Sequence, residues 1–373
     1  MEKNRAADFS AQTEIDQIRV KYHLPALAAH VVSDKFRKSY FSGFRKWGDP
    51  TLAEVTDKIH IGSCTKALTA TVLAIFIERG ALKWSSTLED LFPELTKMHA
   101  AYKKVSIELL AAHRSGVTGD LVNFQNGRLW ELMWNPRLDP VEGRRIAAHD
   151  LLTAPPTHAP ESKYEYSTGN YVILGAILEK FSGKSWEQLI REELFQPLQM
   201  SSGGFGAQAN AGAKLPDQPW PHRFADNSPV PVTLDFYADL QPTLGPSGTV
   251  HCAIDDWGKF AKLHMDGYNG LPTPILTNAS FKKLHENYPG QEYTYGGWSR
   301  NTRSWADGPV LSHAGSNNMN AANIWIAPLK SLCLLSATNI GGGDSTKATV
   351  ATAVTLLLQN RNQKSLAFLS DSF

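Results

Sequence analysis

One helix constrains this chain more than any other stretch. From Ala67 to Ile77 the only polar side chains are Thr69 and Thr71, and Glu78-Arg79-Gly80 then closes the run as a helix C-terminus does. Leu68, Val72, Leu73, Ile75, Phe76 and Ile77 surround the whole cylinder instead of forming one stripe, so the helix must run through a protein core. The uncharged span between Lys66 and Glu78 is shorter than the ~20 apolar residues a membrane crossing needs. The rest of the chain therefore has to wrap this helix on every side.

Lys66 stands at the mouth of that helix. An ammonium is buried only with partners or with a depressed pKa. Ser63, three residues earlier, shares its helical face, which puts hydroxyl and amine within hydrogen-bond reach. Backbone N–H groups at a helix N-terminus are also free to receive a developing oxyanion. The bland alternative makes Ser63 an N-cap and Lys66 a surface lysine. Ser-x-x-Lys is short enough to recur by chance, so its context must decide. Cys64 is rotated off the Ser63/Lys66 face and reads as packing.

A chain of 373 residues buries a large core, as one domain or as two intimately packed ones. With 37 Lys+Arg scattered among 36 Asp+Glu the net charge is +1, so neither a nucleic-acid surface nor a membrane patch is indicated, and a small molecule is the expected partner. Cys64, Cys252 and Cys333 lie far apart, match no metal spacing and read as buried thiols; the histidines form no His-x-His or His-x-x-x-His cluster, so no metal and no cofactor are implied. The opening residues, Met1 to Asp8 and then Gln12, Glu14 and Asp16, hold no apolar leader or membrane span. As written the expectation is a cytoplasmic protein, or a periplasmic or secreted one if a signal peptide has been removed.

Taken in order, Ala11 to Tyr22 predicts an amphipathic helix, and Ala26–Val32 with Ser39–Arg45 a hairpin around Ser33-Asp34-Lys35. After the buried helix comes a shorter one over Ser106–Ala112. Polar, Trp-containing sequence from Asp120 to Arg145 reads as a loop or lid. Tyr164 to Tyr171 leads into a second apolar helix, Val172–Lys180, and a third spans Trp186–Glu193. Seven prolines between Pro216 and Pro246 mark Ala207–Gly248 as a restricted excursion, a kind of segment that often walls a binding site. A helix at Asp255–His264 precedes strands at Tyr295–Asn301, Val310–Ala314, Ala322–Ala327 and Leu332–Thr338, and a last helix covers Thr346–Asn360. Strands at both ends around a helical middle imply that the two ends join one sheet.

Three motifs in order, Ile61-Gly62-Ser63-Cys64-Thr65-Lys66, Tyr166-Ser167 about a hundred residues later, and His313-Ala314-Gly315 ahead of two strands, resemble the serine β-lactamase and penicillin-binding-protein superfamily. The closer likeness is to its class C-like branch, which includes D-aminopeptidases, D-amino-acid amidases, family VIII-type carboxylesterases and acyltransferases. It runs from about Ile15 to Gln359 and extends to linking stretches such as His113-Arg114-Ser115-Gly116.

The resemblance implies an α/β (α+β) fold with an antiparallel sheet flanked by helices and a mostly helical domain, the active site lying in the cleft between them. The division expected within the 14–360 catalytic unit is 1–60 with 285–373 for the sheet domain and 61–284 for the helical one. It implies Ser63 as acylated nucleophile, with Lys66 and Tyr166 sharing the proton traffic and either of them as base. It also implies an oxyanion hole from the backbone N–H groups of Ser63 and Ser316, and substrate contacts from His313, Gly315, Thr168 and Asn170. Physical chemistry adds that a poorly solvated lysine loses proton affinity, and that a tyrosine beside a cation loses its proton more easily. Tyr164 and Tyr171 read as packing. Trp130, Trp134, Trp220, Tyr237 and Trp298 are candidates for an apolar pocket.

Two departures matter. The family often has Tyr-x-Asn, whereas here Thr168 takes the third position and Asn170 follows two residues later. His313 stands where β-lactamases and penicillin-binding proteins typically have lysine, and histidine is mostly neutral at neutral pH. The expected activity is hydrolysis of a small ester or amide with weak or no β-lactamase activity. An acyltransferase on the same fold, and a non-catalytic ligand-binding protein, are the alternatives. The sequence carries no signal for oligomeric state.

Overall fold

The computed structural model describes residues 11–34 and 36–370, the side chains as far as residue 360. Lys35 at the expected hairpin turn and the opening residues 1–10 lie outside it.

The opening helix forms as α1 (Ala11–Lys21), and the hairpin as β1 (Ala26–Ser33) and β2 (Arg37–Gly43). The chain then runs into α2 (Thr65–Glu78), which is buried from Thr65 to Ile75 and ends at Gly80 with φ +78°. Both of its mid-helix hydroxyls are satisfied. Thr69 Oγ1 donates to Pro246 O at 2.7 Å and accepts from Trp186 Nε1 at 3.0 Å, while Thr71 Oγ1 donates to Ala67 O at 2.7 Å. A helix apolar all round is thus wrapped all round.

The Asp120–Arg145 expectation of a loop is corrected. This stretch contains a short helix, Arg128–Met133, and the start of α3 (Pro140–Thr153). Asp139 caps α3, accepting from Val141 N at 3.0 Å and Glu142 N at 3.1 Å, with Pro140 at the first helical position where its missing N–H costs nothing. The second apolar helix is α4 (Thr168–Ser182), closed by Gly183 at φ +69°. The third is α-helical only over Trp186–Ile190 and widens into a π turn at Arg191–Phe195.

The excursion 207–248 is mostly irregular but holds a hairpin, His222–Ala225 with Ser228–Pro231. The hairpin turns on Asp226 and Asn227, both at positive φ as a two-residue turn of the primed type requires. Beyond it come α5 (Ile254–Tyr268) and an unanticipated helix, Asn278–Leu284. The strands β3 (Ser299–Arg303), β4 (Gly308–Ser316), β5 (Ala321–Ala327) and β6 (Leu332–Thr338) follow, then α6 (Ser345–Ser370). The first of these strands begins later than the pattern suggests, because Gly297 turns the chain at φ +76°.

The six strands make one antiparallel sheet in the order β2-β1-β6-β5-β4-β3. β1 pairs with β6 from Leu27↔Thr338 to Ser33↔Leu332, so the two ends of the chain join one sheet, as expected. Both faces are covered. Leu27, Ala29 and Val31 point into a core shared with α1 and α6, while Ala28 and Val32 join the main core with α2 and α5. That alternation is the period of two that a strand imposes.

Candidate active site

Ser63 sits in a single 3-10 turn, Gly62–Cys64, that runs directly into α2. Two glycines bring this turn against the sheet. Gly62 has φ +52°, and a side chain there would collide with Ser316 N. A side chain at Gly315 would collide with Ile61 O and stand 3.0 Å from Ser63 N. The backbones of Ser63 and Ser316 therefore lie side by side because neither segment carries a Cβ where they meet. β3 pairs only with Gly308–Ser312 of β4, so among the described residues His313–Ser316 is the part of β4 without a partner on that side.

Lys66 is fully buried on the first turn of α2. Its Nζ donates to Ser247 O at 2.8 Å and lies 3.3 Å from Ser63 Oγ. Among the described residues no carboxylate pairs with it. Burial lowers its pKa to about 7, against a small opposing pull from Cys64. The Cys64 thiol itself is pushed up by burial and donates to His313 O at 3.6 Å, which fits its reading as packing.

Tyr166 lies over Lys66, with Nζ 4.8 Å from the ring centroid. The residue as a whole exposes 37 % of its surface, but its phenol is desolvated. Burial raises its pKa by more than its hydrogen bond to Ser63 lowers it, so the expectation that a neighbouring cation would loosen its proton is not met. The reason lies next door: a lysine itself near pKa 7 is a poor source of positive charge. The two groups do not converge on neutrality; the lysine alone comes down.

His313 is nearly buried, with Nδ1 2.7 Å from Ala314 O, which can only accept. Its proton is therefore on Nδ1, and Nε2 receives Tyr293 Oη at 3.3 Å. Burial first, then Lys66, lower its pKa to about 4. The position that typically carries a permanent cation is thus uncharged.

Thr168 begins α4 half-buried. Asn170 is not brought to the cleft: it is completely buried, accepting from Ser115 Oγ at 2.6 Å and giving its Nδ2 to His113 Nδ1 at 3.1 Å. One turn inside a helix, it faces the neighbouring loop. His113 is the residue the sequence reading missed. Its Nδ1 also accepts from Ser167 N at 3.1 Å, and its ring lies 4.5 Å from that of Tyr166, so it buttresses the tyrosine. Its positive φ of 58° has no signature in a single sequence, although it belongs to the His113–Gly116 stretch that carries the family likeness.

Of the five candidate aromatics, Trp298 is core, Trp220 stacks under Lys46, and Trp130, Trp134 and Tyr237 form one cluster with Phe236. A separate cavity of about 610 Å³ opens between α3 and α4 among Phe92, Leu95, Val141 and Leu152, and none of the site residues above lines it.

Comparison with known proteins agrees with the fold. A sequence model described as Beta-lactamase matches residues 11–359. The chain belongs to the β-lactamase family. It is 25 % identical over 352 residues to penicillin-binding protein 4 of Amycolatopsis lactamdurans, covering 88 % of this chain and 84 % of that protein. Against protein flp of Staphylococcus aureus (strain MW2) it is 24 % identical over 346 residues, 88 % of this chain but 63 % of the relative. In fold it is similar to the D-amino acid amidase of Ochrobactrum anthropi SV3, solved with L-phenylalanine, at a TM-score of 0.74 and 17 % identity, covering 95 % and 99 % of the two chains. The octameric penicillin-binding protein homologue of Pyrococcus abyssi superposes at 0.74 with 20 % identity, covering 93 % and 76 %. Among the described residues of this family member, no helix is long and apolar enough to cross a membrane.

Proposed function

We propose that the protein is a serine hydrolase that cleaves a small, uncharged ester or amide through an acyl-enzyme on Ser63. The observation that carries this reading is Lys66: a buried amine without a counter-ion, 3.3 Å from Ser63 Oγ and with a pKa of about 7, is available as a neutral base at physiological pH.

In this reading Lys66 Nζ takes the Ser63 proton as Oγ attacks the carbonyl. The oxyanion forms between the N–H groups of Ser63 and Ser316. As the tetrahedral intermediate collapses, Tyr166, protonated at rest, gives its phenol proton to the leaving oxygen or nitrogen and takes the one held by Lys66. Water then attacks the acyl carbonyl, giving one proton to Lys66, and Lys66 returns that proton to Ser63 Oγ as the acyl C–O bond breaks and the acid leaves. Sheet strands from 1–60 and 285–373 supply one wall of the cleft and 61–284 the other.

Substrate charge follows from the same electrostatics. With His313 uncharged there is no cation at the position suited to a substrate carboxylate, which weighs against penicillins and cephalosporins. Hydrolysis of a short-chain p-nitrophenyl ester by the wild type and by Ser63→Ala tests the reading: turnover lost in the variant supports it, and equal rates in the two proteins sink it. Rapid nitrocefin turnover abolished by Ser63→Ala would overturn the statement on β-lactams.

A further inference from the structure

Ser63 and Ser316 come from distant parts of the chain, and their N–H groups serve one oxyanion only if the distance between them is held. A carboxylate from the proline-rich excursion reaches both segments. His60 Nδ1 accepts from Gly62 N at 3.1 Å, so the imidazole proton is on Nε2, which donates to Asp239 Oδ2 at 3.0 Å. The other oxygen, Asp239 Oδ1, accepts from Asn317 Nδ2 at 2.6 Å. Asn317 Oδ1 in turn accepts from the backbone N–H groups of Met319 at 3.1 Å and Asn320 at 2.8 Å, closing the turn whose Asn320 carbonyl receives the Ser316 hydroxyl at 2.8 Å. His60, Asp239 and Asn317 are all buried. One side chain thus ties the residue before Ser63 to the residue after Ser316.

We propose that Asp239 is a positioning residue of the oxyanion hole, setting the spacing of the Ser63 and Ser316 N–H groups through His60 and Gly62 on one arm and Asn317 on the other. The inference rests on the Ser63 hydrolase reading. A carboxylate is the side chain this place needs, because both neighbours donate and an ionised carboxylate only accepts. An amide at 239 would turn its NH₂ toward one of the two donors. A carboxylate at 317 opposite Asp239 would set two acceptors against each other. Exchanging the two restores every bond: the amide oxygen at 239 accepts from His60, and its nitrogen donates to the new carboxylate at 317, whose second oxygen still receives Met319 and Asn320.

The test compares wild type, Asp239→Asn, Asn317→Asp and the double exchange. It measures turnover of p-nitrophenyl acetate and the rate of Ser63 labelling by a fluorophosphonate, at a temperature where circular dichroism finds each protein folded. Removing an oxyanion donor outright costs on the order of 10²–10³-fold in kcat; a displaced one should cost about 10- to 100-fold, with KM within about threefold. Asp239→Asn should show that loss in kcat and in labelling rate, and the double exchange should recover most of it. If Asp239→Asn does not fold, Asn317→Ser, which cuts only the Ser316 arm, carries the same expectation. A folded single variant that turns over and labels like wild type overturns the inference alone, as does a double exchange no faster than Asp239→Asn. A wild type that neither turns over nor labels at Ser63 overturns the hydrolase reading, and the inference with it.

Discussion

Lys66 and Arg144 are both completely buried, yet the fold keeps them in opposite states. Arg144 lies between α3 and α4 with its fork filled: Nε and Nη2 donate to Glu179 Oε1 at 2.9 and 2.6 Å, Nη1 and Nη2 to Glu187 at 3.0 and 2.8 Å, and Nη1 to Pro242 O at 3.0 Å. Burial works against its charge, but the two carboxylates outweigh it and its pKa is held above the ordinary value. Burial pushes the Glu179 carboxyl up, opposed by Arg144, and the partly exposed Glu187 supplies the second carboxylate on the guanidinium. Lys66 has a hydroxyl and a carbonyl and, among the described residues, no carboxylate. A buried cation given counter-ions stays charged, while one denied them loses its proton more easily, which is what the proposed base requires.

The largest effect should come from removing Lys66, the base of the proposed reaction. Lys66→Met keeps the length and apolar stem of the side chain, so kcat/KM on a p-nitrophenyl ester should fall by about 10³-fold, within the range for a lost general base. The thermal midpoint should hold or rise, since an unpaired buried amine contributes little to stability. A variant that loses its fold along with its activity would make Lys66 a structural residue and end the contrast.

Arg144→Met should do the reverse. It leaves Glu179 and Glu187 without their partner, which costs roughly 3–5 kcal/mol in a urea titration, while turnover per folded molecule stays near wild type. A small stability change would mean that the two glutamates find protons or water readily, and that Arg144 is not what orders α3 against α4.

The contrast also separates what was legible in the sequence from what was not. Lys66 was found because a helix apolar on all sides began beside it, and a local pattern of that kind needs no knowledge of the partner. The sheet was legible for another reason: strands at both ends of the chain around a helical middle imply one shared sheet, and β1 does pair with β6. The Arg144 cluster, His113 and Asp239 were not legible. Each acts on residues tens or hundreds of positions away, and alone each looks like an ordinary polar residue. Asn170 was misplaced because spacing from Tyr166 suggested proximity, whereas the helical turn points it at Ser115 and His113. The Asp139-Pro140 start of α3 was readable, and the polar, Trp-containing sequence around it hid the signal.

A pH titration sharpens the comparison further. With Lys66 near 7, kcat/KM should rise with pH through an acid limb at about 7 as the amine becomes neutral. Stability carries the same signature. Between about 7 and the ordinary lysine value of 10.5, the unfolded chain binds a proton that the native state does not. Stability must then increase with pH across that window and be indifferent to Lys66 below it. Tyrosines and thiols also titrate in this range, so the quantity to compare is the slope of wild type minus that of Lys66→Met, which should be positive. Arg144 titrates nowhere near this window, and the Arg144→Met slope should match wild type.

The smallest expected effect is the most discriminating about which group owns the acid limb. His313 also feels the charge of Lys66, and an imidazole is the usual suspect for a limb near 7. Its burial and its neighbour lower its pKa to about 4, so it carries no charge through the range where Lys66 titrates. His313→Gln, which keeps an acceptor for Tyr293, should change kcat by less than about tenfold and leave the limb where it is. Were the limb to move by half a unit or more, His313 would be charged in the working enzyme. The site would then hold a cation suited to a substrate carboxylate, and the acid limb could no longer be assigned to Lys66.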